Sequence, residues 1–155
     1  IARPADSPLR PAMTLRGRRV DWKTGLLWGL AGFAAFSLAP AMGQPPKLPG
    51  MIQATVVAQQ AWWLATAAAT AGGLALMVFS RPWLARTAGA VLLALPHVVG
   101  APAPESLQGS TVPGELAAQF VVASLVTALA FWALLGGLTG HFVDRFVDRA
   151  DGQGA

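Results

Sequence analysis

No Asp, Glu, Lys or Arg lies between Thr24 and Pro46, between Leu48 and Ser80, between Thr87 and Pro104, or between Leu116 and Val143. This absence constrains the fold more than any single motif. A helix in water shows charge on its wet face every turn or so. A stretch of this length without one suits a hydrocarbon solvent. Only 12% of the 155 residues are charged, against 54% hydrophobic. That charged fraction is about half of what a soluble domain carries. The fold class expected is therefore all-α, a polytopic transmembrane helix bundle. Size suggests a single domain.

The apolar runs give four spans, at about 24–42, 61–79, 83–99 and 115–142. They make up a transmembrane domain over 24–142. A basic, Pro-containing segment, 1–23, precedes it, and a charged tail, 143–155, follows it. The third span is short for a bilayer core of about 30 Å, and the fourth is long enough to tilt or emerge. Small residues recur four apart at Gly25 and Gly29, Ala31 and Ala35, Ala68 and Gly72, and Gly136 and Gly140. That spacing lets helix backbones approach closely in lipid. Trp22, Trp28, Trp62, Trp63 and Trp83 cluster near the starts of spans. They read as anchors at the headgroup level, where indole is favoured.

The basic residues orient these spans. Arg3, Arg10, Arg16, Arg18, Arg19 and Lys23 precede the first span, Arg81 and Arg86 sit in the turn between the second and third, and Arg145 and Arg149 follow the fourth. Lys47 alone lies in either of the other two loops. Lysine and arginine concentrate on the cytoplasmic side, so both ends of the chain are expected there. The loops after the first and third spans then face outward. The net charge of +4 thus reads as an orientation signal, and no basic stripe suggests nucleic-acid binding. The competing reading of the first span is a signal peptide ending at Ala39-Pro40-Ala41. The chain opens at Ile1 and not at Met, which implies processing or truncation.

The two outward loops carry the candidate chemistry. They read Pro40–Gly50 and Leu95–Glu105, and both are rich in proline, which fixes φ and donates no backbone hydrogen bond. Pro96 frees a carbonyl one turn earlier in the third span. Broken helices with irregular backbone line sites in transporters. His97 is an ionisable group at a membrane boundary, which marks a functional candidate. Imidazole suits divalent cobalt, nickel or zinc, and carboxylate suits harder ions. His97 and Glu105 are therefore the candidate metal contacts, with Gln44, Met42 and Met51 as weaker ones on the facing loop. His141 reads as an interfacial residue beside Asp144 and Arg145. No cysteine is present, and no phosphate loop, HExxH or GxSxG pattern appears, so no catalytic residue or bound cofactor is expected.

The order of several short motifs resembles the CbtA family. These are Trp28-Gly29, Pro45–Gly50, Trp62-Trp63, Pro96–Pro102, Val112–Leu116 and Phe131-Trp132, spread over nearly all the hydrophobic chain. The resemblance implies an integral subunit of a cobalt uptake system in the bacterial inner membrane, with cobalt ion as transported substrate and no enzyme activity. It implies a small CbtB-like membrane subunit as partner. It also implies further N-terminal membrane sequence, which this chain does not show, and a Glu in the first loop where this chain has Lys47. A cation there weakens attraction of a metal to that mouth. The alternative reading is a structural or accessory subunit of a larger membrane complex, without transport.

Overall fold

The computed structural model describes residues 14–15, 18–19, 21–104 and 112–152. A two-residue antiparallel ladder pairs β1 (Thr14–Leu15) with β2 (Arg18–Arg19), and every other element is helical. The helices are α1 (Trp22–Gly43), α2 (Val56–Phe79), α3 (Trp83–Val99) and α4 (Gly114–Gly152). The all-α expectation holds, with three helices long and apolar enough to cross a membrane and α3 shorter. At 1.5 Å per residue, the 24 residues of α2 reach about 36 Å and the 17 of α3 about 25 Å.

Local chemistry explains the helix ends. Asp21 caps α1, its carboxylate accepting from the backbone N–H and the hydroxyl of Thr24, each at 2.8 Å. Those two bonds, the backbone one first, hold the Asp21 carboxyl below its ordinary value. The hydroxyl of Thr55 accepts from the Ala58 N–H at the start of α2. The α2–α3 turn is closed by Arg86 Nε, which donates to the Ser80 carbonyl at 3.2 Å. Gly100 ends α3 with φ 89° and ψ 150°, a conformation that side-chain-bearing residues rarely adopt. The first and second helices begin earlier than the hydropathy suggests, because their caps lie in polar sequence outside the apolar runs.

Packing is by close backbone approach. On the α1–α4 contact, a β-carbon on Gly136 would lie 2.8 Å from Gly29 Cα, and one on Gly25 would lie 2.8 Å from Gly140 Cα. The α2–α3 contact is made by Gly73 and Gly89, where an added β-carbon on either would meet the other's carbonyl at 2.7 Å. The glycine spacings in the first and fourth spans therefore do mark an interface. Ala68 is exposed, and the second span uses Gly73 in place of the Ala68–Gly72 pair.

These contacts alternate the helix directions. Trp28 stacks on Phe79 at 5.9 Å, bringing the start of α1 to the end of α2. Gly140 packs on Asp21, bringing the late part of α4 to the same end. Lys23, Arg81 and Arg145 thus share one end of the bundle, and Lys47 lies towards the other. Large apolar side chains cover the outside, among them Leu27, Leu64, Val91, Val122 and Leu134. Water would penalise such a surface, and lipid or apolar partners would not.

Candidate functional site

The two Pro-rich loops meet at Trp62. A β-carbon on Gly43 would stand 2.9 Å from Trp62 Cε2 and 3.0 Å from Ala101 Cβ, so the end of α1 presses on this ring and the segment after α3 lies beside Gly43. His97 meets the same indole edge-on, with ring centroids 6.2 Å apart and an interplanar angle of 75°. Trp62 is 8% exposed, which corrects the anchor reading for this residue. The glycine of the first loop and the helix α3 leave no room for it at a headgroup surface. Trp22, Trp28 and Trp83 do remain exposed.

Below Trp62, the inner face of α2 continues through Thr66, Thr70 and Gly73, at helical spacing along one side. Thr66 is 0% exposed and Thr70 is 3%. The hydroxyls of both, the indole N–H of Trp62 and the side-chain amide nitrogen of Gln44 are buried with no hydrogen-bond partner among the described residues. Buried polar atoms normally find partners, and each orphan needs an explanation. Thr66 stands ten residues into α2, about 15 Å from its start and so near mid-helix.

The sequence reading located only part of this arrangement. His97 is half-buried in the last turn of α3, and Pro96 beside it is buried. Gln44 has a buried side-chain amide nitrogen. Met42 is 70% exposed, and Met51 Sδ accepts from the Leu48 N–H within its own loop. Glu105 lies outside the described residues. Thr66 and Thr70 were missed because threonine in an apolar helix carries no signal by itself; their four-residue spacing from Trp62 was the available clue. Among the described residues, no three His, Cys, Asp or Glu side chains gather as a metal centre.

A second polar arrangement braces α1. Ala34–Leu38 form a π-helical turn within α1, and the Ala39 N–H reaches back to the Ala34 carbonyl. Pro40 lacks the N–H that an unbroken α-helix would send to the Phe36 carbonyl. Trp63 Nε1 donates to that carbonyl at 3.2 Å. Trp132 Nε1 donates to Ser37 Oγ at 3.2 Å, and its ring stacks on Phe36 at 5.6 Å. The turn is thus read by one tryptophan from α2 and one from α4. The helix runs on through buried Ala39 and Pro40, where the signal-peptide reading puts its cleavage site.

A family model described as probable cobalt transporter subunit (CbtA) matches residues 9–144. No curated protein and no solved structure matches the chain.

Proposed function

The chain belongs to the CbtA family of probable cobalt transporter subunits, and on that premise we propose that it forms the cobalt path of a membrane uptake system. The single observation that carries this reading is the junction at Trp62. There, two stiff loops and the half-buried His97 converge on a helix face whose buried polar atoms lack partners among the described residues. Polar groups at membrane depth are costly, and they persist chiefly where they serve a path or a site.

In this reading all four helices cross the bilayer. The end bearing Lys23, Arg81 and Arg145 faces the cytoplasm, as the basic residues favour. The Trp62 junction then opens outward in the inner membrane, with His97 and Glu105 as cation contacts at the mouth. Imidazole is a fitting ligand for a borderline divalent ion. A small CbtB-like subunit completes the system, docking on the apolar exterior.

The test is cobalt accumulation in cells expressing the chain with its partner subunit. His97→Ala is expected to lower uptake several-fold. Unchanged uptake after both His97→Ala and Glu105→Ala would remove the site assignment. The accessory-subunit reading draws on one fact, the lack of a three-ligand metal centre among the described residues. Cobalt flux into liposomes that contain only this chain and its partner decides between the two; absence of flux favours the accessory role.

A further inference from the structure

We infer that the α2–α3 turn binds an anionic phospholipid, with its phosphate on Arg81 and Arg86 and an acyl chain along the outer side of α3. The inference goes beyond transport and stands whether or not the chain moves cobalt.

The charge on this hairpin is unbalanced. No Asp or Glu stands between Asp21 and Glu105, so α2 and α3 carry none. Arg81 and Arg86 are both exposed. Among the described side chains, the carboxylates at this end of the bundle are Asp21 and Asp144. Asp21 is engaged by Thr24 at the cap of α1, and Asp144 stands on α4, which packs on α1. Lipid phosphate supplies the missing anion, and basic sites between membrane helices hold such head groups.

The geometry suits phosphate. Arg86 Nε donates to the Ser80 carbonyl at 3.2 Å, which holds the guanidinium across the turn that bears Arg81. Its remaining N–H groups have no acceptor among the described residues. A planar guanidinium so held can grip phosphate bidentately, which an ammonium cannot. Trp83 is 76% exposed and stands three residues before Arg86, on the same side of α3. Its indole is favoured at the headgroup level. Beyond Arg86 on that side lie exposed Ala90 and Ala94, about 6 and 12 Å farther along the helix. Their small side chains leave a shallow track beside Val91, which is 60% exposed. An acyl chain laid there covers apolar surface that the chain itself leaves bare. An acidic protein segment would satisfy the arginines but not the alanine track, so lipid is the occupant that fits both.

The experiment measures thermal midpoints of the full purified chain in detergent with added phosphatidylglycerol or phosphatidylcholine of the same acyl chains. Saturating phosphatidylglycerol should raise the midpoint by about 3–6 °C over phosphatidylcholine. Arg81→Gln and Arg86→Gln should each lose about half of that difference or more. Lys47→Gln, towards the other end, should keep it. Ala90→Leu, which fills the track and leaves the charges in place, should weaken it. Inorganic phosphate at the same concentration should give no shift. Equal midpoints in the two lipids, or a difference kept by the double Arg81→Gln, Arg86→Gln variant, would overturn the site. A shift with inorganic phosphate as large as with lipid would assign a free-anion site and overturn the lipid. Should Arg86→Gln fail to fold for want of its bond to Ser80, Arg81→Gln decides alone.

Discussion

Trp63 Nε1 donates a hydrogen bond of 3.2 Å to the carbonyl of Phe36, the group that Pro40 leaves without its helical donor. The defect and its repair lie on different helices. Pro40 and the π turn before it would be a weak point in an isolated span. Here they become a docking feature that fixes α1 against α2, and Trp132 fixes the same turn against α4. Turns of π geometry are often found at functional sites.

Trp63→Phe should destabilise the protein by about 1 kcal/mol, the scale of one interhelical hydrogen bond in a membrane protein. The penalty should shrink in a Pro40→Ala background, where residue 40 regains an N–H for Phe36. A double-mutant cycle on unfolding in detergent reads the coupling. Additive effects would mean that Pro40 and Trp63 act independently.

Gly136 and Gly137 are adjacent and should respond oppositely. A β-carbon at Gly136 would lie 2.8 Å from Gly29 Cα, whereas one at Gly137 meets nothing within 4 Å. Gly136→Val should cost about 3 kcal/mol or more through overpacking. Gly137→Ala should be neutral or gain up to about 1 kcal/mol of helix propensity. Thermal midpoints of the two purified variants check this.

Gly100→Ala should cost about 1–3 kcal/mol although the added methyl has open space. The strain comes from φ 89° alone. Relief of that strain would shift Ala101 away from Gly43, which packs on the Trp62 ring, so Trp62 emission should shift red in a single-tryptophan background. An unshifted spectrum with full stability would show that the loop does not depend on this glycine.

The Asp21 cap gives a pH signature. Its folded carboxyl lies below the ordinary 3.8, held there by Thr24. The unfolded state therefore binds the proton first on acidification. The stabilisation is full above about pH 5, starts to fall as the unfolded carboxyl titrates, and is lost as pH drops through the lowered folded value. Thermal midpoints at pH 7 and pH 3 should converge between wild type and Asp21→Ala. Asp21→Asn, which keeps an acceptor, should lose less than Asp21→Ala at pH 7.

The helices were legible because the solvent imposes them. A bilayer demands internal hydrogen bonding and excludes charge, so uncharged runs reveal spans without reference to packing. The short segment 83–99 is the helix Trp83–Val99, because Pro82 and Gly100 mark its ends in the sequence. The glycine pairs of the first and fourth spans were legible as close-approach faces. Which glycine of the second span docks was not, because Ala68, Gly72 and Gly73 are alike in composition and differ only in the direction they face.

The site divided in the same way. His97 stood out as a rare ionisable group in an apolar run. Trp62 and Trp63 are neighbours of one type that point about 100° apart on a helix. One is buried against His97 and the other bonds to Phe36.

By itself, the sequence determined that this chain is a bundle of apolar helices with its basic residues apportioned between alternate loops. Those features follow from local hydropathy and charge, which each segment carries alone. Only the tertiary structure decided that Gly43 and His97, one from each Pro-rich loop, pack on Trp62, and that Thr66 and Thr70 are enclosed without partners among the described residues. Enclosure is a relation between helices, set by where glycine lets two backbones touch, and no single segment encodes it.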